Sequence, residues 1–205
     1  MNDVRELMQQ MGRQARAAAA QLALADSATR NRALLAAAAA LRAQSAQVIA
    51  ANAADMSAAR TANLSAAMLD RLRLDATRVA AIARALEDIA ALADPIGAVS
   101  AEWTRPNGLR MQRVRVPLGV IGIIYESRPN VTADAGAICL KAGNAVILRG
   151  GSDSDRSNAA IHACLLAGLE AAELPAACIQ LVPTADRAAV GEMLGGMREY
   201  IDVLV

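Results

Sequence analysis

The sequence predicts an α/β chain: a helical amino-terminal region followed by a parallel, doubly wound βαβ sheet. Three observations carry this. Residues 1–94 combine helical periodicity with alanine runs and capping residues. From residue 109 onward, short apolar β-branched runs alternate with helix-length segments, the pattern of parallel βαβ units. The Pro106-Asn-Gly108 turn marks the change between them.

Taken in order, a helix begins at Ser27, whose hydroxyl can accept from an unpaired first-turn amide, and runs through the Ala/Leu stretch to about Ala50. Asn63-Leu-Ser65 breaks the helices. Asp75 caps the next long one, where Val79, Ile82, Leu86 and Ile89 share a face with Arg84 and Asp88 elsewhere, and Asp94-Pro95-Ile-Gly97 stops it. Residues 109–116 alternate imperfectly between Arg/Gln and Met/Val, as in a half-exposed strand. Residues 120–125 are apolar and β-branched, which predicts a strand buried on both faces. A helix (131–141), a strand (145–148), a helix (155–170), a strand (178–182), a helix (187–194) and a strand (200–205) follow. Val203, Leu204 and Val205 read as interior residues, and a doubly wound fold would next present a ligand-binding turn, so the chain is expected to be the front part of a longer protein.

Composition narrows the classes. The 55% hydrophobic fraction is inflated by alanine, and with Trp103, Tyr125 and Tyr200 the only aromatics the core must rest on Leu, Ile, Val and Met. Net charge is +1 with no basic block, so a nucleic-acid footprint is lacking. The longest apolar stretch, residues 33–41, is too short for a membrane span, and Met1-Asn-Asp-Val lacks the order of a signal peptide. A cytoplasmic protein is expected, with no membrane and no nucleic-acid partner. Cys139, Cys164 and Cys178 are odd in number, sit in apolar settings and show no metal-ligand spacing, which fits a reducing compartment.

Two turns could carry chemistry. Arg149-Gly-Gly-Ser152 follows a strand and opens a helix: two glycines admit a ligand close to the backbone, the helix start offers unpaired amides, and Arg149 adds a fixed charge. These are parts for holding a ribose or phosphate, although a tight strand-to-helix connection uses the same residues. The Walker pattern is absent, and Asp153 and Asp155 would repel phosphate unless they face solvent or accept from a ribose hydroxyl. In Tyr125-Glu-Ser-Arg-Pro-Asn130, Arg128 could bind a carboxylate or phosphate bidentately and Asn130 could donate to a developing oxyanion. Alternatively Asn130 caps the following helix and Arg128 pairs with Glu126; spacing leaves both readings open. The loops around Arg128 and Arg149 are expected to face one cleft.

No residue reads as a nucleophile. His162 and Cys164, two apart on a helix, point to different faces, Cys139 lies in an apolar run, and Cys178 begins a buried strand. His162 is expected at a helix surface. Gly119 and Gly122 lie within a strand, where close strand packing explains them.

Residues 116–132, the Lys141–Ser152 stretch and Ser65-Ala-Ala-Met-Leu-Asp-Arg-Leu72 resemble the γ-glutamyl phosphate reductase (glutamate-5-semialdehyde dehydrogenase) family of the aldehyde dehydrogenase superfamily. Residues 50–55, 105–108 and 186–190 fit as well. The resemblance implies NADPH-dependent reduction of γ-glutamyl phosphate to glutamate 5-semialdehyde, with release of phosphate, in proline biosynthesis. It implies a cysteine thioester, with the nucleophile beyond Val205 and this chain inactive alone. It places Arg149, Gly150, Gly151, Ser152 and Thr184 at the cofactor, NADP being favoured because Ser152 stands where relatives carry an acidic residue. It places Ser127, Arg128 and Asn130 at the substrate, Asn130 with altered spacing to Asn144. Residues 1–205 would then be a cofactor-binding portion: 1–94 helical, 109–116 an arm that pairs subunits in a homo-oligomer, and 117–205 the βαβ part. The alternative is a non-catalytic nucleotide-binding or interaction module.

Overall fold

The computed structural model describes residues 2–205. Helix α1 (Asn2–Leu22) is amphipathic, with Met8, Met11, Ala15 and Ala19 buried at helical spacing. Helix α2 (Ser27–Ala43) is capped by Asp26, one residue before the expected Ser27; the Asp26 carboxylate accepts from the Thr29 amide at 2.7 Å. The helix expected to reach Ala50 stops at Gln44, and α3 (Ser45–Thr61) leaves at a 70° bend. The bend lets both helices bury a face, Leu34, Ala38 and Leu41 on one and Val48 and Met56 on the other. Alanine-rich sequence runs unbroken through it, with no Gly or Pro to mark it. No single helix among the described residues is long and apolar enough to cross a membrane; the bent pair reaches that composition only together.

After a left-handed Asn63 (φ 55°), Ser65 caps the short α4 (Ala66–Leu72). Helix α5 (Ala76–Ala91) is capped by Asp75, as expected, with Val79, Ile82 and Leu86 buried and Ile89 half-buried. The next strand, β1 (Val99–Thr104), was not anticipated. It pairs antiparallel with β2 (Arg110–Val114), Trp103 opposite Met111, around a turn with Gly108 at φ 85°. Nearly every residue of this ribbon is exposed, so β1 has no buried face to impose an alternating pattern.

Strand β3 (Val120–Ile124), helix α6 (Asn130–Lys141), strand β4 (Ala145–Arg149), helix α7 (Asp155–Ala171), strand β5 (Ile179–Leu181), helix α8 (Ala188–Gly191) and strand β6 (Val203–Leu204) follow. All four of these strands are parallel, in the order β5-β4-β3-β6. Every residue of β4 is buried, and its side chains alternate between two cores. Val146 and Leu148 join Ala137 and Leu140 of α6, Leu165 of α7 and the faces of α2 and α5. Ala145 and Ile147 join Met8 and Met11 of α1 and Ala189 of α8. Helices thus cover both faces, as a doubly wound sheet requires.

Two carboxyl-terminal elements are shorter than expected. Beyond α8, residues 192–196 continue as a wider turn in which the Met197 amide reaches the Glu192 carbonyl at 2.9 Å. Strand β6 is the sheet edge in this chain, so Val203 and Val205 are exposed and Leu204 half-buried instead of interior. Its backbone is nonetheless paired: the Val205 amide donates to the Gly122 carbonyl and the Ile124 amide to the Val205 carbonyl, both at 2.9 Å. A Cβ on Gly122 would sit 2.7 Å from the Leu204 side chain, so close strand packing is what this glycine permits. Helix α1 closes over this edge, where Arg16 grips Asp202 bidentately at 2.6 and 2.8 Å and Asp202 accepts from the Val120 amide at 2.8 Å. Burial alone would raise the Asp202 carboxyl, but those donors outweigh it and hold the group below its ordinary value.

Candidate functional site

Because β3 runs on to β4 and β5 on one side while β6 lies on its other side, the strand order reverses beside β3. The turn after β3 therefore lies at the switch point, where α/β sheets place ligands. Both sequence-identified turns emerge at this carboxyl edge, from neighbouring strands, and they touch. Ser127 is buried and its hydroxyl donates to the Asp153 carboxylate across the gap. A Cβ on Gly151 would lie 2.7 Å from Asp153 Oδ1, so glycine leaves the Asp153 carboxylate its place in this bond.

A directional relay of hydrogen bonds locks the turns to the helices behind them. The Thr132 hydroxyl donates to Asn158 Oδ1 at 3.1 Å, so the Tyr125 hydroxyl is the donor in its 2.6 Å bond to Thr132. Asn158 Nδ2 donates to Ser154 Oγ at 3.0 Å, and Ser154 Oγ donates to the Gly151 carbonyl at 3.2 Å. Burial pushes the Tyr125 phenol up to about 12, partly opposed by the Thr132 bond and the Arg149 charge, so it stays a donor at neutral pH. A Cβ on Gly150 would lie 2.3 Å from Asn158 Nδ2, inside this relay.

A second buried network holds the start of α7. Asp55 of α3 accepts from the Ser157 amide at 2.8 Å and the Ser157 hydroxyl at 2.7 Å, capping from a distance a helix whose own cap residue makes no such bond. Asn52 donates to Ser157 Oγ at 3.0 Å and to the Leu72 carbonyl at 2.8 Å, and accepts from the Leu74 amide at 2.7 Å. Position in the sequence gave no hint of this use of Asn52 and Asp55, since a helix-borne carboxylate reads as a solvated side chain.

Arg149 is buried, bonded to the Gly150 carbonyl and, at 2.9 Å, to the Ala185 carbonyl of the turn after β5, which brings the Thr184 turn to the same edge. Among the described residues its Nε is buried without a partner. Gly150 is buried, Ser152 exposed, and half-buried Thr184 accepts from the Asp186 amide at 3.1 Å. Arg128 is exposed and makes no ion pair with Glu126; Asn130 does not cap α6 but donates to Asp134 at 2.8 Å. The bland alternatives for these two residues therefore do not hold. Arg128 instead lines a pocket of about 390 Å³ with Met68, Arg71 and Val131, while the Arg149 guanidinium turns toward Ala185. The two turns share an edge, but their arginines address different parts of it.

All three cysteines are buried. Burial pushes Cys139 and Cys178 up to about 12 and Cys164 upward, so none suits a nucleophile. His162 is not a free surface residue: it is half-buried and its Nε2 meets the Ile179 carbonyl at 2.9 Å.

The chain is 64% identical over 204 residues, its whole length, to a γ-glutamyl phosphate reductase of Rhodospirillum rubrum, 48% of which it covers. Against the crystal structure of γ-glutamyl phosphate reductase from Thermotoga maritima it gives a TM-score of 0.91 at 37% identity, over 96% of this chain and 47% of that one. The corresponding structure from Saccharomyces cerevisiae gives 0.86 at 28% identity, over 96% and 50%. The chain spans about half the length of the curated relatives it matches. With the aldehyde dehydrogenase family model matching residues 3–199, and with that fold and its paired turns in place, the chain belongs to the aldehyde dehydrogenase family.

Proposed function

We propose that this chain forms the cofactor-binding part of an NADPH-dependent reductase that converts γ-glutamyl phosphate to glutamate 5-semialdehyde and phosphate. The observation that carries the reading is the 64% identity to a γ-glutamyl phosphate reductase over 204 residues, a span that includes the two joined turns. Residues 1–94 and 117–205 make the cofactor-binding body. Residues 109–116 lie in a ribbon with exposed Val99, Trp103, Met111 and Val114, apolar surface that suits an arm pairing subunits in a homo-oligomer.

The residues present fit a dinucleotide. Among the described residues Arg149 carries a buried donor without a partner, Gly150 and Gly151 let the turn pack against Asn158 and Asp153, and Ser152 adds no negative charge of its own that would oppose a 2′-phosphate. Arg149, Gly150, Gly151, Ser152 and Thr184 would hold it. When bound, it supplies the hydride that reduces the acyl group. Arg128 would offset the negative charge of the acyl phosphate. Asn130 gives one amide proton to Asp134, which orients it, and keeps the other for the acyl oxygen as charge develops there. Ser127 is committed to Asp153, so its part is to clasp the turns together more than to touch substrate. The three buried thiols leave the nucleophile to the portion of the longer relatives outside these residues. A cytoplasmic site fits the reduced cysteines.

The test is the full-length protein in the reverse direction, with glutamate 5-semialdehyde, phosphate and NADP⁺. NADPH formation that depends on phosphate is expected, with Arg149→Met raising the KM for NADP⁺ about tenfold or more. Oxidation of the semialdehyde that ignores phosphate would sink the reading.

A further inference from the structure

Two cavities meet at Arg71 of α4. One, of about 310 Å³, is walled by Arg71, Arg73, Arg78, Asn130 and Asp134; the other, of about 390 Å³, by Arg71, Arg128 and the turn after β3. The cations in these walls are not equivalent. Arg78 is spent on Asp70 at 2.8 Å and on the Asp70 and Arg73 carbonyls, and Arg73 lies 3.9 and 3.8 Å from Asp70 and Asp75. Among the described residues Arg71 makes no ion pair, and neither does Arg128.

Across the first cavity, Asp134 is half-buried and bonded to Asn130, and among the described residues it makes no ion pair. Burial raises its carboxyl, with the Asn130 bond opposing, and a cation bound beside it would favour the charged form. The backbone just after Arg71 is held in place, because the Asn52 side chain pins both the Leu72 carbonyl and the Leu74 amide at the end of its helix. The reductase substrate carries an acyl phosphate at one end and an α-ammonium and α-carboxylate at the other. The walls offer a matching set: Arg128 near the strand end, then Arg71 and Asp134 beyond it.

Resting on the reductase reading, we infer that Arg71 and Asp134 bind the α-carboxylate and α-ammonium of the glutamyl substrate and so set the enzyme's preference for an amino-acid head group. The experiment uses the full-length enzyme in the oxidative direction, in which aldehyde, phosphate and NADP⁺ give acyl phosphate, NADPH and a proton. Three aldehydes are compared: glutamate 5-semialdehyde, 5-oxopentanoate without the ammonium, and 4-aminobutanal without the carboxylate.

Asp134→Asn keeps an amide oxygen to accept from Asn130, so any loss through Asn130 is shared by all three aldehydes; beyond that shared loss, kcat/KM is expected to fall about 10- to 100-fold further for the two ammonium-bearing aldehydes than for 5-oxopentanoate. Arg71→Gln is expected to lower it by a similar factor for the two carboxylates while sparing 4-aminobutanal; its side chain is exposed, so folding is not at issue. Equal losses on all three aldehydes, or a wild-type enzyme that does not discriminate among them, would overturn the head-group assignment alone. A wild-type enzyme inactive on glutamate 5-semialdehyde overturns the reductase reading and this assignment with it.

Discussion

Asp55→Ala removes the carboxylate that caps α7 from across the fold, and its effect can be worked from the bonds it makes. Asp55 is 3% exposed and accepts both the amide and the hydroxyl of Ser157. The Ser157 amide lies in the first turn, where no helical carbonyl is available, and its hydroxyl already accepts from Asn52, so its proton has no ready alternative. Loss of a cap costs about 1 kcal/mol, and each buried donor left unpaired about 1–3 kcal/mol, with the terms overlapping. A net loss of about 3 kcal/mol is expected. Urea unfolding followed by circular dichroism, with a slope of about 2–3 kcal/mol/M, should show a midpoint lower by about 1 M. Asp55→Asn keeps one acceptor and should lose about half as much. A midpoint for Asp55→Ala within about 0.2 M of the parent would refute the capping argument.

Gly168→Ala places a Cβ 2.4 Å from the Ala33 carbonyl oxygen of α2, a backbone atom that cannot swing aside. The strain of about 1–3 kcal/mol exceeds the gain of about 1 kcal/mol in helix propensity, so the thermal midpoint should fall; Gly191→Ala, with nothing within 4 Å, should hold or raise it. For His162, burial lowers the folded pKa below the usual 6.5, against the bond to Ile179. The unfolded chain then binds more protons between that lowered value and 6.5, so this contribution is complete above 6.5 and lost as pH falls through the folded value. Urea midpoints for His162→Gln should fall less steeply from pH 7.5 to 5.5 than those of the parent, and an unchanged slope would count against the assignment.

Most of the sheet was legible because buried parallel strands announce themselves: every residue of β4 is inside, and its apolar run is uninterrupted. The cap at Asp75 and the break at Asn63-Leu-Ser65 were equally plain, each being local over about three residues, although that Ser65 also caps α4 was not read. What periodicity missed was non-local. The bend at Gln44 is imposed by what α2 and α3 pack against, and the β1–β2 ribbon has no buried face. At the site, Arg149 and Arg128 could be singled out by their turns, but the Asp153–Ser127 clasp joins residues 26 apart, and the Asp55–Ser157 cap residues 102 apart. The i to i+4 spacing of Asn130 and Asp134 was the one local signal that could have drawn attention to Asp134.

The grip of Arg16 on Asp202 spans 186 positions and bears on how the molecule is made. During synthesis α1 is made well before the residues that cover it: its methionine stripe packs against β4 and the segment around Met193 and Met197. At about 5–20 residues per second, the residues between α1 and Met197 take on the order of ten seconds or more to make, and that greasy surface waits unsheltered meanwhile. Until then α1 is open to other apolar contacts, and its docking is the step that closes the core between it, β4 and Met193.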